Sequence, residues 1–588
     1  MENQRNILFA VVLTALVLFG WEAGLGYLYP KPAAPVQQTA ASSAAADDGK
    51  PTREGGLRNQ AAIAAEKRDL KTALAAGDRI PIEAPGLSGS INLHGGVIDD
   101  LTLNRYKETL AKDSSPVRIF SPAGTPAEHY ARFGWVGSGT IAPAIDSNVV
   151  WSAPEGAKLT PETPVTLTWT NQTGQTFYLT YSIDKNYLIT VKQKVVNKGN
   201  APVVVQPFGV INRTSRTASL DTWNVHSGPI SAADGSVNFG PDYDDLTETG
   251  KVDVAGRAGW AGFTDIYWMS ALAPVKSRAE DTFRSLGNDL YRADLLYGQT
   301  VVNPGKQLET DTKLFAGAKE YSVLNRYEKE GIEKFGTAID WGWFSWFVKP
   351  IFALLLKLFE LVGNFGVAII LLTIIIRGIL FPIAQKQFAS MAQMRAVQPK
   401  MKAIQERYKD DKPRQQQEIM KLYKDEGVNP LAGCLPIFLQ IPIFFALYKT
   451  LLLTIEMRHQ PFVLWIKDLS APDPLHILNL FGLLPFTPPS FLAIGILALL
   501  LGITMWLQFK LNPAQMDPIQ QQMFMIMPWV MMFIMAPFAA GLLLYWITSN
   551  LLTIGQQWYL YSKHPQLKAQ AEQEAAEKKR AETEKDTR

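Results

Sequence analysis

Arg377 carries the clearest chemical signal in this sequence, because it interrupts the otherwise apolar stretch LLTIIIRGIL. It lies about 15 residues into an apolar segment, or about 22 Å along a helix, which corresponds to the inner half of a bilayer. A charge there costs at least about 2.5–3.5 kcal/mol unless it meets water, a partner or the headgroups. Two interpretations follow: an arginine that extends to the headgroups, or a functional group in a polar cavity.

Other polar side chains accompany Arg377. Thr373 lies four residues earlier on the same helical face, and Gln440 lies within the next apolar segment. Further polar residues lie toward the inner ends of later apolar segments: Gln508, Ser549, Asn550, Gln556 and Gln557. Polar groups in hydrocarbon need partners, so these residues line a wet cavity or form hydrogen bonds between tightly packed helices. Since no carboxylate accompanies them, a wet cavity would be positive and would receive an acidic group from a substrate.

The residues outside the apolar segments predict no catalytic chemistry. The six histidines have no metal-ligand spacing, and the sequence contains no HExxH, P-loop, GxSxG or dinucleotide motif. Asp242, Asp244 and Asp245 indicate a solvated acidic loop rather than a calcium site, because the full ligand spacing is missing. The single cysteine excludes an intrachain disulfide. We therefore expect no catalytic residues, no metal and no cofactor, and a protein that is not an enzyme.

The apolar segments predict a polytopic α-helical membrane protein with six spans. The first is an uncleaved N-terminal anchor (1–29), which we favour over a cleaved signal peptide. The other spans are predicted at about 362–383, 431–455, 491–509, 523–538 and 541–559. An aromatic cluster that begins at Trp341 predicts an amphipathic helix at 338–360, lying on the outer surface.

Charge predicts the topology. The loop 385–429 carries ten Lys/Arg against six Asp/Glu, so the positive-inside rule places it in the cytoplasm. Six spans then put both termini and the tail 562–588 in the cytoplasm, and the large domain before residue 338 outside. Apolar residues recur every three or four positions in this loop and predict a helical hairpin, with Pro399 kinking or restarting its first helix.

The predicted hairpin has a basic face. Its members are Lys386, Arg395, Lys400, Lys402 and Arg407. One interpretation is a solvated surface that only reflects the positive-inside bias, and the other is a docking surface for an anionic partner such as a ribosome or lipid headgroups.

The segment outside the membrane divides into a linker and a β-domain. Residues 30–79 begin with an Ala-, Pro-, Ser- and Gln-rich stretch that cannot bury a core, which predicts a flexible linker. Residues 80–337 show strand patterns separated by turns, and no helical pattern precedes Glu320. Ile189, Val191 and Val195 share one parity, as in a half-buried strand. The region predicts a large antiparallel β-sandwich.

The membrane half of the sequence resembles a known family. The stretches IIIRGILFPI, MRAVQPKM, EGVNPLAGCLPIFLQIPIFFALY, GLLLYWITSN and IGQQW are similar to those of the YidC/Oxa1/Alb3 membrane protein insertases. The single anchor with a large outer domain resembles the Gram-negative type, in which that domain is periplasmic. The resemblance implies a five-helix insertase core (361–561) in the bacterial inner membrane, with a hydrophilic groove open to the cytoplasm and to lipid.

The resemblance also implies residues and partners. Arg377 and Thr373 occupy groove positions of the family, and the polar Gln440 is placed with them. An aromatic pair in the last span corresponds to Tyr545 and Trp546, where the family member compared has two tyrosines, so a role for the second hydroxyl does not carry over. The chain is longer than that member at 480–489.

The implied function is insertion and folding of inner-membrane proteins, alone or with the Sec translocon. The implied partners are nascent inner-membrane proteins, the Sec translocon, the ribosome and membrane lipids, with no specific nucleic acid. The alternatives are a solute transporter or channel, which would require several inward charges and often an inverted repeat, and an assembly chaperone without insertion activity.

Overall fold

The computed structural model of the chain describes residues 54–57, 59–138, 149–219, 225–342, 344–409, 411–427, 435–481, 483–484, 493–511 and 518–563. The predicted N-terminal anchor, most of the linker before residue 60 and the tail from residue 564 lie outside these ranges. The described chain passes from a β-domain (79–318) into a helical half (345–563).

Eighteen strands are present in the described part of the β-domain. They are β1 (Arg79–Glu83), β2 (Leu87–Asn92), β3 (Val97–Lys107), β4 (Pro116–Phe120), β5 (His129–Ser138), β6 (Val165–Thr170), β7 (Gln175–Ile183), β8 (Leu188–Asn197), β9 (Val203–Thr214), β10 (Gly228–Ala233), β11 (Ser236–Phe239), β12 (Lys251–Asp253), β13 (Ala258–Thr264), β14 (Trp268–Val275), β15 (Ala279–Gly287), β16 (Leu290–Tyr297), β17 (Thr300–Val302) and β18 (Gln307–Ala318).

These strands form two sheets. One has the order β1-β2-β3-β5-β9-β16-β15-β12, with β17 beside β9 and β4 beside β3, and the other has the order β11-β10-β13-β14-β18-β8-β7-β6. The strand pairs within both sheets are antiparallel, for example β5 with β9 and β7 with β8. This confirms the predicted antiparallel β-domain.

The two sheets share one hydrophobic core. Trp135 of β5 and Phe177 of β7 belong to different sheets, and their ring centroids are 5.0 Å apart. Ile189, Val191 and Val195 are fully buried, because alternate residues of β8 face this core. The sheets therefore pack face to face as a sandwich.

The helices of the described residues are α1 (Gln60–Ala75), α2 (Tyr243–Thr249), α3 (Tyr321–Lys329), α4 (Ser345–Val362), α5 (Phe365–Ile379), α6 (Phe381–Arg407), α7 (Lys412–Asp425), α8 (Leu435–Leu453), α9 (Ile496–Leu511), α10 (Pro518–Met535) and α11 (Ala540–Lys563).

Two of these helices differ from the sequence prediction. Helix α1 occupies the second half of the predicted flexible linker, and Asn59 caps it by accepting hydrogen bonds from the amides of Ala61 and Ala62. Its weakly apolar residues are mostly alanines, which favour helix without giving a strong hydrophobic period. Helix α2 occupies the predicted acidic loop, where the Asp242 carboxylate caps it by accepting from the Asp245 amide at 2.7 Å. That carboxylate therefore has a structural role.

The helical half contains a helix at each of the five predicted core spans. Among the described residues no single helix is long and apolar enough to cross a bilayer, but α5 together with 381–388 meets this criterion as a pair bent by 57°. The predicted count of six spans is therefore not confirmed. The break falls at Leu380, two residues before Pro382, whereas the apolar pattern predicts one span that continues to residue 383.

The hairpin that follows is formed by α6 and α7. Its helices contact through the Tyr423 hydroxyl and the Met401 sulfur, 3.3 Å apart, and through the Gln415 amide and the Gln405 carbonyl, 2.8 Å apart. Helix α6 runs through Pro399 without restarting.

Helix α4 joins the two halves. Its residues Val348 and Phe352 belong to the core that continues from the β-domain, whereas Leu355 belongs to the core of the helical half. The ring of Phe352 lies 5.4 Å from that of Tyr321 at the start of α3. Helix α4 is thus packed on one face, while Trp346 and Leu361 are exposed on the other.

A charged junction reinforces this connection just after α8. The buried Arg458 side chain donates to the Glu54 carboxylate at 2.6 Å and to the carbonyls of Lys107 and Glu108 at 2.8 and 3.1 Å. Its guanidinium also lies 5.4 Å from the Trp268 ring centroid. One side chain from the helical half therefore binds the chain before α1, the end of β3 and the Trp268 ring of β14.

Glu456 lies two residues before this arginine in the chain, and its side chain is half-buried with one carboxyl oxygen fully enclosed. One of its oxygens accepts from the Tyr321 amide at 2.8 Å, and the other has no hydrogen-bond partner among the described residues. Burial raises the pKa of Glu456 to about 7, and the charge of nearby Glu320 adds to the rise. The junction thus contains a carboxyl that is poised to titrate near neutral pH.

Candidate functional site

Helix α11 is the centre of the polar contacts in the helical half. Tyr545, Ser549 and Asn550 are all buried, and the first two are four residues apart, which places them one above the other on the same face. Each contacts a different helix: Tyr545 contacts α8, Ser549 contacts α5 and Asn550 contacts α9. These side chains therefore fix α11 against three neighbours by hydrogen bonds.

Arg377 binds α11 from the last turn of α5. Its Nε and Nη2 atoms donate to the Ser549 hydroxyl oxygen at 3.2 and 2.5 Å. The side chain is half-buried, and no carboxylate of the described residues lies within 4 Å of it. A guanidinium has five N–H donors, and one neutral hydroxyl leaves most of its capacity and all of its charge uncompensated. The arrangement is suited to receiving an anionic oxygen from another molecule.

The other predicted groove residues are arranged differently. Thr373 is buried, and its hydroxyl donates to the Ile369 carbonyl of its own helix at 2.7 Å. Gln440 of α8 donates through its amide to the Tyr545 hydroxyl. Gln440 and Tyr545 therefore form a pair next to Arg377, whereas the Thr373 hydroxyl is used within α5.

Trp546 does not share the position of Tyr545. Its ring packs edge-on against Phe444 of α8, with the centroids 5.2 Å apart. Adjacent residues on a helix point about 100° apart, so the two aromatic side chains serve different surfaces. The structure thus places Tyr545 with the polar residues and Trp546 with the apolar packing between α8 and α11.

Among the remaining polar residues of the later helices, Asn550 forms a hydrogen bond to a neighbouring helix. The Asn550 amide donates to the Thr504 hydroxyl of α9 at 3.1 Å, and both side chains are buried. Gln557 is also buried, and its Oε1 has no hydrogen-bond partner in the described part of the chain. Gln508 and Gln556 are half-buried. Asn550 thus forms a contact between packed helices, whereas Arg377 is half-buried with the Ser549 hydroxyl as its hydrogen-bond partner.

Sequence reasoning singled out Ser549 as polar but did not identify it as the partner of Arg377. The two residues are separated by 172 positions, and neither pattern nor spacing connects them. The available signal was the row of polar residues at four-residue spacing on α11, formed by Tyr545, Ser549 and Thr553.

The basic residues of the hairpin are exposed where their side chains are described. These are Lys386, Lys400 and Arg407, while the side chains of Arg395 and Lys402 lie outside the described set. Lys400 forms an ion pair with Glu426 at 2.5 Å, so part of its charge is neutralised within the hairpin. No group of three or more metal-ligating side chains is found in the residues that the structure covers.

Comparison with known proteins extends over nearly the whole chain. Residues 357–568 match the family described as 60Kd inner membrane protein, and residues 79–354 match the YidC periplasmic domain. The membrane protein insertase YidC of Zymomonas mobilis is 46% identical over 584 residues, covering 98% of both chains. That of Paracoccus denitrificans is 42% identical, covering 96% of this chain and 95% of the relative. A crystal structure of an active YidC insertase aligns over 82% of this chain and 93% of that chain, with 19% identity and a TM-score of 0.34.

Proposed function

Because the chain belongs to the YidC family of membrane protein insertases, we propose that it inserts inner-membrane proteins by receiving a polar substrate segment at Arg377. The protein is an insertase located in the inner membrane and is not an enzyme. The alternative of a solute transporter is not favoured by these relatives. The observation that carries our proposal is the half-buried guanidinium of Arg377, held by a neutral hydroxyl.

The proposed topology follows the charge pattern. Both termini and the α6–α7 hairpin lie in the cytoplasm, and the β-domain lies in the periplasm. The exposed Lys386 and Arg407 agree with a hairpin on the positive side of the membrane.

The proposed mechanism has no covalent step. A hydrophilic flank of the substrate enters a groove open to the cytoplasm, and an acidic residue in this flank binds the uncompensated guanidinium of Arg377. The flank then crosses only the remaining part of the bilayer, while the adjoining apolar segment of about 20 residues partitions into lipid and supplies the driving force.

Arg377 is fixed for this role by α11. The Ser549 hydroxyl holds the guanidinium in place without neutralising it, because a hydroxyl carries no charge. Gln440 and Tyr545 contribute a second polar pair next to it. We propose that these three residues and Arg377 line the groove, and that Thr373 and Trp546 support it through packing.

The proposed partners are nascent membrane proteins, the Sec translocon and the ribosome. The basic face of the hairpin is the proposed ribosome contact, since exposed arginine and lysine bind phosphate backbones. Lys400 contributes less than Lys386 or Arg407 because Glu426 already pairs with it.

The test is reconstitution of the purified full-length protein in liposomes. A short single-span substrate with an acidic flank is added, and protease protection of the flank reports crossing. Protection well above that of protein-free liposomes, without nucleotide or translocon, supports autonomous insertion. Protection at the level of protein-free liposomes contradicts autonomous insertion and points to a chaperone or a translocon-dependent component.

A further inference from the structure

The loop between α8 and α9 has an unusual surface. Leu464 and Leu483 are 83% and 82% exposed, and Val463, Leu478, Leu480 and Phe481 are about half exposed. From residue 474 to residue 492 the sequence contains no Lys, Arg, Asp or Glu. An exposed apolar surface without charged residues is not suited to water.

The loop is nevertheless built on a rigid internal frame. Asp473 is buried and its carboxylate accepts from the Trp465 indole at 3.0 Å, the Leu475 amide at 3.0 Å and the Leu497 amide at 2.8 Å. Two backbone hydrogen bonds join Ile477 to Ile494 and Ile496 to Leu475. The loop is therefore attached to the first turn of α9.

A second attachment holds the loop beside α11. The amides of Ala540 and Gly541 donate to the carbonyls of Ala471 and Leu469 at 2.8 and 2.9 Å. The loop thus lies at the level where α9 and α11 begin. This is the end of the helices nearest the β-domain, because Arg458 at the start of the loop donates to the Lys107 carbonyl of β3.

Three of the exposed apolar residues have a strained backbone conformation. Leu464, Leu480 and Phe481 have φ values of 55°, 49° and 61°. Bulky residues are unfavourable in this left-handed region, where glycine or asparagine is relaxed. Leucine and phenylalanine are present at these positions despite the strain, and their side chains point outward rather than into the core.

The depth of the loop identifies what covers it. Helix α9 has 16 residues and is about 24 Å long, shorter than the roughly 30 Å hydrocarbon core of a bilayer. Residues bonded to its first turn therefore lie at the edge of the hydrocarbon. The exposed face of α9 is apolar as well, with Leu500, Ile503 and Leu507, so the apolar surface continues from the helix into the loop.

We propose that the α8–α9 loop is an interfacial membrane anchor. It inserts the side chains of Leu464, Leu480, Phe481 and Leu483 into the lipid leaflet on the β-domain side. The lipid that covers these side chains is the acyl region just below the headgroups. Interfacial segments insert to a depth of about 5–10 Å. The inference rests on the membrane location of the family and not on the role of Arg377.

The experiment measures the depth of spin labels in the full-length protein in lipid nanodiscs. Cys434 is the single cysteine, so Cys434→Ser provides the background, and Leu464→Cys, Leu480→Cys and Leu483→Cys are labelled one at a time. The accessibility of each label is measured to oxygen, which concentrates in lipid, and to a water-soluble nickel chelate. Equal thermal melting of all variants in detergent verifies that they fold.

Val301→Cys is the matched control. Val301 is 58% exposed and pairs with Val204 at the start of β9. The other end of β9, at Thr214, is the end near the helical half, because the Thr217 carbonyl just after it accepts from the Gly56 amide beside Glu54. Val301 therefore lies on the β-domain far from the loop. We expect a ratio of oxygen to nickel accessibility several times higher at the three loop positions than at Val301. Equal ratios would place the loop in water and overturn the proposal. Low accessibility to both reagents would show that protein covers the loop, and would also overturn it.

Discussion

The guanidinium of Arg377 and the hydroxyl of Ser549 are joined by two hydrogen bonds of 3.2 and 2.5 Å across the interface of α5 and α11. The hydroxyl fixes the position of the charge and leaves its sign unchanged. A carboxylate at residue 549 would instead neutralise the arginine from within the protein. The identity of the partner is therefore as important for the proposed function as the arginine.

The sign of the charge at residue 377 should determine which substrates are affected. We expect Arg377→Glu to reduce insertion of substrates with acidic flanks far more than insertion of substrates with neutral flanks, because like charges repel in a poorly screened site. The liposome protection assay measures both. Arg377→Gln is the matched control for polarity without charge, and equal loss for both substrate classes would contradict the electrostatic role.

The two buried hydroxyls near the site should differ in importance. Ser549→Ala removes the partner of Arg377, so we expect insertion of acidic-flanked substrates to fall several-fold. Thr373→Val removes a hydroxyl that donates to the Ile369 carbonyl of its own helix, so we expect near wild-type insertion. A larger effect of Thr373→Val than of Ser549→Ala would show that Thr373 contacts the substrate directly.

The enclosed carboxyl of Glu456 should make stability depend on pH. Its folded-state pKa of about 7 exceeds the ordinary value for a glutamate, so the folded state binds more protons and stability falls as pH rises from about 4.5 to 7. Glu456→Gln keeps an oxygen to accept from the Tyr321 amide and removes the ionisation. We expect the variant to be about 1–3 kcal/mol more stable than wild type at pH 8 and similar at pH 4.5.

Thermal melting in detergent across this pH range measures the difference. A constant gap between the variant and wild type would show that Glu456 does not titrate in this interval.

Arg458 should contribute far more to stability than an exposed arginine. We expect Arg458→Met to lower the free energy of unfolding by about 2–4 kcal/mol, because the Glu54 carboxylate and two carbonyls lose their donor. Arg216→Met breaks an exposed ion pair with Asp289 and should cost less than about 1 kcal/mol. Denaturation of both variants in detergent compares them, and similar losses would mean that the junction is not a stabilising contact.

Asp281 of β15 predicts a stabilising substitution. Its side chain is buried, neither oxygen has a hydrogen-bond partner among the described residues, and burial raises its pKa to about 8. The folded state therefore keeps the proton, and wild-type stability should decrease as pH rises from about 4 to 8.

We expect Asp281→Val to stabilise the protein by about 1–3 kcal/mol at pH 8, since valine favours strands and needs no partner. Equilibrium unfolding at pH 5 and pH 8 tests this. A destabilised variant would show that the carboxyl makes a stabilising interaction.

The sequence predicts the elements of this protein better than their contacts. The β-domain followed from strand periodicity, because each strand must bury alternate residues. The break in the span after Arg377 was missed even though Pro382 signalled it, since the apolar run continues to residue 383. Helix α1 was missed because its alanines carry helix propensity but little hydrophobic contrast.

In the candidate site, too, the key residue could be predicted from the sequence but its contacts could not. Arg377 was evident because a charge in an apolar segment stands out against its neighbours. Its partner Ser549 and the pairing of Gln440 with Tyr545 depend on how distant helices pack, and packing is not encoded in local spacing. The resemblance implied Tyr545 and Trp546 as an aromatic pair of the groove, and their adjacent positions on α11 direct the two rings to different neighbours.

The bond between Arg458 and Glu54 also has a consequence for the order of synthesis. The two residues are 404 positions apart, so Glu54 and the entire β-domain leave the ribosome long before Arg458 is made. The two sheets of the β-domain can therefore form before this contact exists. The ion pair between Arg458 and Glu54 can form only after the segment that follows α8 has been made, which makes it a late contact of assembly.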